Sequence, residues 1–561
     1  MSFEDNEVYY NNVRVVSADA LPQDVAIQFS SRSRQNVVRL HDVGGSGRVS
    51  IDLRQAVGCK VLIGSGNTVV SGALNITFPM NAGRPTAGAF VVIGHANSFT
   101  GGASIQAPFT AGQGITIGSR NLIAPGLSVR GSNHAVFDLA TGLQSNSEVG
   151  STIGSRNWLG NGVNVFNRGG IGNDSVVALG AIVNKDWSAT GNVALAGMPA
   201  RVVSEGIAWT REMYYSTLED VPSPDLTIGI TTYERPLSLR RALDSVLSQK
   251  LPAGSQVEVL VVDDGSDSAS FKELWAALGD LPRTKGFTVQ GLCNPEPTGG
   301  PSAGRNSVID VARGSHVMFL DDDDQLAEGA LTPLLEYIAS STAQRTSLRY
   351  RRAGRSILLA PAMRHERLDI VDSLWTMLPP SIYRTSDIRG YRSKFPEGVH
   401  YGEDNEFVLH FSVRAENFTA LCDRDYVIIG DPVAGEGAHL SQGKGSWEEF
   451  LRGVISHLDR LAKIIDGADI PAYVRDRLAA KCLIGRGITS YELARRLGDM
   501  DDSDLAADLL SAYSGIINDS IPEAAILRFA RENSLEREIA AVVGNDLDAL
   551  RAARAYTGAA S

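Results

Sequence analysis

The chain has 561 residues, more than one hydrophobic core of ordinary size accommodates, so two or three domains are expected. Its net charge of −12 and sequence pI of about 5.3 exclude the basic footprint of a nucleic-acid-binding protein. The N-terminal segment has neither a basic region nor an apolar run, and the apolar stretches are of strand length. Four scattered cysteines are typical of reduced thiols. We therefore predict a cytoplasmic protein without a transmembrane segment, and peripheral contact with the inner face of the membrane stays open.

From about Val37 to Val203 a short unit recurs, in which an aliphatic residue is followed by glycine and several small or polar residues. Instances are VLIGSGNTVV, VVIGHANSFT, ITIGSRNLIAPG, STIGSRNWLGNG and GGIGNDSVVALGAIV. Aliphatic residues at fixed intervals indicate short strands stacked into a solenoid, with glycine or asparagine at positive-φ corners. A unit of roughly six residues predicts a parallel β-helix. His41 and His95 lie before and at repeat corners, and we interpret them as structural or surface residues.

The later repeats, from about Val91 to Val203, resemble the hexapeptide-repeat acyltransferases, which have a left-handed β-helix. The stretches SNHAVFDLATG, IGSRNWLGNGVNVFNRGGIGNDSVVALGAIVNKD and GNVALAGMPARVV carry this resemblance. It implies O-acetylation of a sugar by acetyl-CoA, with His134 as general base, Asp138 orienting it, and a homotrimeric assembly. The positions that match the acetyl-CoA groove are Trp158, Gly160, Ala178, Gly180, Lys185, Pro199 and Arg201.

A second interpretation is that the β-helix has lost this chemistry and serves only as a trimerisation scaffold. Asn133 favours it, because relatives often carry an acid immediately before the histidine. The stretch before Val91 repeats less regularly, and a loop is expected at Phe78–Ala89. Acetyl transfer that is lost in His134→Ala would separate the two interpretations.

The second region follows a predicted linker at Glu219–Pro224. The runs LTIGITTY, VEVLVVDDGS and SHVMFLDDDD read as strands, and LSLRRALDSVLSQ has apolar residues at helical spacing. Strands that alternate with helices predict an α/β domain with a largely parallel sheet. Such sheets bind ligands beyond the carboxyl ends of their strands, where both acidic clusters of this sequence fall.

These strand ends carry the residue types that transfer from a nucleotide-diphosphate sugar requires. An acidic side chain accepts hydrogen bonds from a base or ribose, and a helix N-terminus preceded by glycines favours a diphosphate. A carboxylate acts as general base for the acceptor hydroxyl. The candidate nucleotide-sugar contacts are Thr231, Tyr233, Glu234, Asp263, Asp264, Arg305 and Asp322.

The run from Asp321 to Asp324 is the candidate metal site, because adjacent carboxylates repel one another unless they are solvated or hold a cation. Alone, the run is equally compatible with a solvated loop or a weak calcium site. Glu403 and Asp404 precede a predicted helix, where one is a candidate base, although acids are also ordinary at helix N-termini.

Five ordered motifs, ITTYERP, VVDDGS, GGPSAGRN, FLDDDD and YGEDNEF, resemble those of family-two glycosyltransferases with the GT-A fold. The resemblance covers Asp225 to about His439. It implies a UDP-sugar donor, a glycan or lipid-linked glycan acceptor, and inversion with Asp404 as base. It also implies Mn²⁺ or Mg²⁺ at Asp321 and Asp323, with His439 as a further contact. Asp322 and Asp324 fit the same metal-binding pattern, so its register stays open.

The third region, from about Trp447, has helical periodicity and is expected to pack against the transferase or form an oligomer contact. The predicted domains are a β-helix at 1–212, a GT-A domain at 213–445 and an α-helical region at 446–561. The predicted function is bifunctional sugar transfer and O-acetylation in polysaccharide biosynthesis. A transferase with a purely trimerising β-helix and a non-catalytic glycan-binding assembly protein are the alternatives.

Overall fold

The computed structural model describes residues 3–81, 83–131, 138–143, 149–211, 215, 217, 221–269, 271–272, 275, 286–352, 355–357, 369–374, 380–399, 401–436 and 446–557. It divides into two compact units. The first comprises Met1–Pro236 and Gln256–Gly314, and the second comprises Leu237–Ser255 and Ser315–Ser561. The predicted domain boundaries at 212 and 445 stay a prediction.

The first unit begins with coils of short strands and one 3₁₀ turn at Ala18–Ala20. The strands, in chain order, are β1 (Glu7–Tyr10), β2 (Val13–Arg14), β3 (Val25–Gln28), β4 (Val37–Leu40), β5 (Arg48–Asp52), β6 (Ala56–Val57), β7 (Lys60–Ile63), β8 (Thr68–Val69), β9 (Ala73–Thr77), β10 (Met80–Asn81), β11 (Arg84–Ala87), β12 (Phe90–Ile93), β13 (Ser98–Phe99), β14 (Ala103–Gln106), β15 (Gly114–Ile117), β16 (Leu122–Ile123), β17 (Leu127–Arg130), β18 (Ser151–Ile153), β19 (Trp158–Leu159), β20 (Asn164–Phe166), β21 (Gly170–Ile171), β22 (Val176–Val177), β23 (Ile182–Val183), β24 (Asp186–Trp187), β25 (Val193–Gly197) and β26 (Ala200–Glu205).

All of these strands except β6, β10 and β11 form three faces, ordered β2-β1-β4-β7-β12-β15-β18-β21-β24, β26-β25-β22-β19-β16-β13-β8 and β23-β20-β17-β14-β9-β5-β3. Pairing within a face is parallel, except in the antiparallel end pairs β1/β2 and β25/β26. The predicted left-handed parallel β-helix is therefore confirmed. It begins at β1, ahead of the repeat that is recognisable from about Val37, because Val8 on β1 is buried in the same interior.

The loop expected at Phe78–Ala89 contains an antiparallel hairpin of β10 and β11, and β11 pairs with β6. Inside the β-helix each coil buries aliphatic side chains, as at Ile93, Ile117, Ile153 and Ile171. Burying each such side chain contributes roughly 1.5–3 kcal/mol, so the stacked interior stabilises the coils.

A ladder of buried asparagines runs along one corner of the β-helix. The Oδ1 of Asn67 accepts hydrogen bonds from the backbone and side-chain nitrogens of Asn97. Asn97 Oδ1 does the same for Asn121, and Asn121 Oδ1 accepts from the backbone of Asn157. Because buried polar groups are costly unless paired, the ladder fixes the register between successive coils.

The prediction that glycine or asparagine takes the positive-φ corners is only partly right. Glycines do so at one corner, as at Gly126. At the corner that bears the ladder, the positive-φ residues include Ala96, Arg120, Arg156 and Asp174. A positive φ costs conformational free energy in a residue other than glycine. We therefore expect the side chains of Arg120 and Arg156 to make contacts that compensate for this cost.

The first unit also contains three parallel strands, β27 (Leu226–Thr232), β28 (Val257–Asp263) and β29 (Phe287–Cys293), in the order β29-β28-β27. Helix α2 (Pro301–Val311) packs on β27 and β28. Its approach is close, since a Cβ at Gly229 would lie 2.6 Å from Val308. All seven residues of β28 are buried, as expected for a parallel sheet covered on both faces.

The second unit contains strands of two sheets, accompanied by helices. The strands are β30 (His316–Asp321), β31 (Gln325–Leu326), β32 (Arg345–Leu348), β33 (Tyr350–Arg352), β34 (Arg355–Ile357), β35 (Ser381–Arg384), β36 (Phe418–Leu421) and β37 (Val427–Ile429). Their orders are β30-β35-β32-β36 and β31-β37-β33-β34. The accompanying helices are α1 (Pro236–Leu247), α3 (Leu331–Ile338), α4 (Ile370–Ser373), α5 (Thr385–Gly390) and α6 (Glu403–Ser412).

The remainder of this unit is helical, as predicted for the C-terminal region. Its helices are α7 (Trp447–Asp466), α8 (Ala472–Ala479), a π-helix (Ala480–Ser490), α9 (Leu493–Gly498), α10 (Ser503–Ser520), α11 (Glu523–Asn533), α12 (Glu536–Val543) and α13 (Leu547–Thr557). Ser446 and Glu449 form a capping box that starts α7. Among the described residues, no helix combines the length and apolarity needed to cross a membrane.

Candidate functional site

In the first unit, candidate residues follow the ends of β27 and β28. Thr231 lies on β27 and is closely approached by Gly304 of α2. A Cβ added at Gly304 would stand 2.8 Å from the methyl group of Thr231. Tyr233 is half exposed, and burial raises the pKa of its hydroxyl, with Glu234 adding to the shift. Glu234 accepts hydrogen bonds from the backbone of Asp267 and Ser268, so it joins two loops.

Asp263 organises the turn after β28. Its carboxylate accepts hydrogen bonds from the backbone and hydroxyl of Ser266 and from the thiol of Cys293 at 3.0 Å. Burial raises the pKa of Asp263 to about 6, although the bonds from Ser266 and Cys293 lower it. Burial beside this carboxylate also raises the pKa of the Cys293 thiol, so Cys293 stays a protonated donor.

Asp264 fixes the glycine-rich segment that leads into α2. It accepts hydrogen bonds from Asn294 Nδ2 at 2.8 Å, from Thr298 N and Oγ1 at 2.9 and 2.8 Å, and from Gly299 N at 3.2 Å. Burial raises its pKa, and these donors oppose the shift. The carboxylate therefore defines the shape of this loop, and its contact with a nucleotide base stays a prediction.

Helix α2 begins just after this loop, with Gly300 as N-cap and Pro301 at its first position. Arg305 and Asn306 lie in its first half and are buried. Backbone N–H groups and the helix dipole make this end favourable for an anion. The prediction that Arg305 steadies a diphosphate stays untested.

In the second unit, three carboxylates come together where β30 ends. Ligand oxygens of Asp321, Asp323 and Asp324 lie within 4.8 Å of one another. Asp324 N donates to Asp321 O at 3.0 Å, which closes a tight turn, and Asp324 Oδ1 accepts from Gly430 N at 3.0 Å. Arg241 Nη2 donates to Asp323 O at 2.8 Å.

Oxygen ligands in this number suit a hard divalent cation such as Mg²⁺ or Mn²⁺. Asp323 and Asp324 are buried, so a cation would relieve a repulsion that water relieves only in part. The residues therefore fit the predicted metal. The group of three carboxylates includes Asp324 and does not include Asp322. The assignment of the metal to Asp321 and Asp323, and of a nucleotide contact to Asp322, stays a prediction.

Asp404 and Glu403 occupy the first turn of α6, half-buried, and Asp404 Oδ1 accepts from Asn405 N at 2.7 Å. The helix start is held by α7. Glu406 accepts from Arg460 Nε at 2.7 Å and lies 3.1 Å from His457 Nδ1.

Burial lowers the pKa of His457, although Glu406 raises it, so a neutral ring donates to this carboxylate. Gly402, at φ 75°, packs so closely that a Cβ would collide with the His457 ring. The C-terminal helices therefore determine where Asp404 stands.

The acetyl-CoA candidates lie along the β-helix. Trp158 is 45% exposed on β19, and its ring centroid is 6.5 Å from that of Trp209. Lys185 Nζ lies 4.5 Å from the Trp187 ring centroid, and Arg201 Nη1 donates to Ala200 O.

Two of the glycines among these candidates are constrained for different reasons, Gly160 by crowding and Gly180 by its backbone conformation. A Cβ at Gly160 would stand 2.7 Å from Leu179 N, with Ala178 beside it, and Gly180 has φ 69°. The acetyl-CoA assignments stay predictions.

Two predicted residues, His134 and His439, lie outside the described residues. Asp138, proposed to orient His134, is exposed and caps its own turn by accepting hydrogen bonds from Thr141 N and Oγ1 and from Ala140 N. The backbone bond from Thr141 is the main reason why the pKa of Asp138 is lowered.

Residues 227–397 match the family model for glycosyl transferase family 2. Succinoglycan biosynthesis protein ExoO of Rhizobium meliloti is 35% identical over 278 residues, 46% of this chain and 71% of that protein. The chain belongs to glycosyl transferase family 2.

Poly(ribitol-phosphate) beta-glucosyltransferase of Bacillus spizizenii is 26% identical over 222 residues, 38% of this chain. The match spans only 33% of that protein's length. Galactoside O-acetyltransferase of Escherichia coli is 41% identical over 95 residues in the N-terminal region, 16% of this chain and 44% of that protein.

Sequence reasoning missed several residues that support the candidates. They are Asn294 and Thr298 around Asp264, Arg241 and Gly430 around the acidic turn, and Glu406, His457 and Arg460 around α6. Most of these contacts join residues far apart in sequence, so no local pattern reports them. Thr298 is the exception, because it stands directly before the glycines that the motif had singled out.

Proposed function

We propose that this chain transfers a sugar from a nucleotide sugar, with UDP as the nucleotide, to a hydroxyl group of a glycan or lipid-linked glycan in polysaccharide biosynthesis. The observation that carries the proposal is the acidic turn of Asp321, Asp323 and Asp324 at the end of β30. Family membership supports the reaction type, and the name of the Rhizobium relative supports a polysaccharide product.

In the proposed reaction, Asp404 accepts the proton of the acceptor hydroxyl as its oxygen attacks the anomeric carbon. The bond from that carbon to the diphosphate oxygen breaks in the same step. The configuration at the anomeric carbon is therefore inverted, and the nucleoside diphosphate leaves. A divalent cation, held by Asp321 and Asp323, would supply positive charge for the departing diphosphate. Asp263, Asp264 and Arg305 are assigned to the nucleotide portion of the donor.

A donor screen tests this proposal. Purified protein is incubated with Mn²⁺ or Mg²⁺, oligosaccharide acceptors and a panel of nucleotide sugars, and nucleotide release is measured. We expect release from one UDP-sugar, its loss with EDTA and its return with added Mn²⁺. Release from none of the donors would contradict the proposal and favour the non-catalytic assembly protein.

We propose further that the β-helix O-acetylates a sugar with acetyl-CoA, with His134 as base and Trp158 in the acetyl-CoA groove. The similarity to galactoside O-acetyltransferase supports this second activity, and the half-exposed indole of Trp158 offers a surface for a ligand. The proposed homotrimer rests on the resemblance of the β-helix to hexapeptide-repeat acyltransferases.

The second activity has its own test. Acetyl transfer from labelled acetyl-CoA to a sugar acceptor is expected in the wild type, and His134→Ala should reduce it by about a hundredfold or more because the general base is lost. Asp323→Ala is the matched control, since it should retain acetyl transfer while losing sugar transfer. Equal acetylation by His134→Ala and the wild type would contradict the role of His134. An inactive wild type would leave the β-helix as a trimerisation scaffold.

A further inference from the structure

Within the first unit, one corner of the β-helix lies against Asn294, the residue that directly follows β29. His95, at a coil corner, is 4% exposed, and its Nε2 stands 3.3 Å from Oδ1 of Asn294. Asn294 Nδ2 in turn donates to Asp264 Oδ1 at 2.8 Å. Two buried hydrogen bonds therefore connect the β-helix to the carboxylate that shapes the loop before α2.

The direction of this chain of hydrogen bonds is set by the β-helix backbone. Ser65 N donates to His95 Nδ1 at 3.1 Å, so Nδ1 is an acceptor and the proton of the neutral ring resides on Nε2. Nε2 therefore donates to the Asn294 oxygen, which leaves the amide nitrogen to donate to Asp264. Burial lowers the pKa of His95 to about 4, so this tautomer persists at neutral pH.

In the three following coils, the hydrogen bonds given for the same position stay within the β-helix. Ser119 Oγ accepts from His95 N, Ser155 Oγ accepts from Ser119 N, and Asn173 Oδ1 accepts from Ser155 N. Each side chain satisfies one backbone donor of the adjacent coil. His95 likewise accepts from the backbone of Ser65, and its Nε2 also donates outward, to Asn294.

Further contacts fix this corner against the transferase segment. His41 Nε2 lies 3.3 Å from Asn294 O, and Cys293 N donates to Ser65 Oγ at 2.7 Å. Lys60 and Glu296 form an ion pair at 2.7 Å. The backbone on both sides of the Asn294 side chain is therefore held by the β-helix.

The corner arginines hold the other end of α2. Arg120 Nη1 donates to Val311 O and Ala312 O at 2.9 and 3.1 Å. Arg156 Nη1 donates to Asp310 O at 3.2 Å and pairs with its carboxylate. Cations at a helix C-terminus are stabilising, which explains why arginines occupy positive-φ corners here.

We propose that His95 is a positioning residue of the sugar-nucleotide site, which acts through Asn294 on Asp264, and that the β-helix is thereby a structural part of donor binding. The inference rests on the proposed function. The ligand class is a nucleoside diphosphate with a uracil-like base, for which Asp264 must keep a fixed orientation.

The sequence offers two substitutions that remove the outward donor and preserve the coil. His95→Ser places at this corner the residue found in three neighbouring coils, and His95→Asn mimics Asn173. Both retain an acceptor for Ser65 N. Ser155→Ala is the matched control, because it removes a corner hydrogen bond of the same kind away from Asn294.

The measurements are the UDP dissociation constant by calorimetry, KM and kcat for the UDP-sugar, and the melting temperature, all on the full chain. We expect both His95 variants to weaken UDP binding and raise the donor KM by about fivefold to tenfold, as for one lost buried hydrogen bond. Their kcat should stay within about twofold of the wild type. Ser155→Ala should bind UDP like the wild type even where its melting temperature falls.

Wild-type affinity in both His95 variants would overturn the inference and leave the proposed function intact. Weakening of the same size in Ser155→Ala would also overturn it, since the effect would then reflect general loosening of the β-helix. A wild-type protein that binds neither UDP nor any UDP-sugar would instead overturn the proposed donor.

Discussion

Asp323→Ala is expected to lower kcat/KM for sugar transfer by about a thousandfold or more, which corresponds to roughly 4 kcal/mol of lost transition-state stabilisation. The substitution removes one of three carboxylates that lie within 4.8 Å of one another. The main-chain bond from Arg241 to Asp323 O remains available, so the turn keeps that support. Nucleotide release measured across a Mn²⁺ titration checks the prediction.

Asp459→Ala is the matched control for this variant. Asp459 is a partly exposed carboxylate on α7 that forms an ion pair with Lys463 at 2.7 Å, and surface pairs of this kind contribute little. We expect wild-type turnover in Asp459→Ala. Undiminished turnover in Asp323→Ala at all Mn²⁺ concentrations would contradict the metal assignment.

Asp404→Asn is expected to reduce kcat by about a hundredfold to ten-thousandfold, because an amide does not accept the proton of the acceptor hydroxyl. Its affinity for UDP should be unchanged, since the proposed role concerns the acceptor. Asparagine has nearly the same shape, and its Oδ1 still accepts from Asn405 N. Transfer kinetics and UDP calorimetry on the same preparation separate chemistry from binding.

Glu403→Gln is the control, because Glu403 lies in the same turn of α6 and carries the same charge. A large loss in Glu403→Gln with an active Asp404→Asn would assign the base to the neighbouring residue. Inversion is checked on the product, whose anomeric configuration should be opposite to that of the donor.

The repeat predicted the β-helix because its inward aliphatic residues recur at a spacing that a sequence displays directly. The repeat is recognisable only from about Val37, and β1 continues the same buried interior through Val8 in a stretch that contains no glycine. The corner conformation was predicted for glycine and asparagine. Arg120 and Arg156 adopt it instead because their guanidinium groups bind carbonyls of α2, and those contacts span more than 150 residues of sequence.

The acidic strand ends were evident from the sequence, but the geometry of the fourfold aspartate run was not. The resemblance to family-two glycosyltransferases implied a metal at Asp321 and Asp323, but Asp322 and Asp324 fitted the same pattern, so the register stayed open. The chain turns after Asp321, so Asp324 joins Asp321 and Asp323 while Asp322 does not. A turn of this kind depends on Gly430 and Arg241, which approach it from distant parts of the chain.

The histidine at a single coil corner also constrains how such a fusion can be rearranged. Each coil of the β-helix is nearly interchangeable in shape, so a recombination event could add or delete a whole turn without breaking the asparagine ladder. Such a change between His95 and the strands β27–β29 would move the imidazole relative to Asn294. Chimeras that exchange the β-helix with one from another protein should therefore bind donor only when coil number and the histidine are kept together.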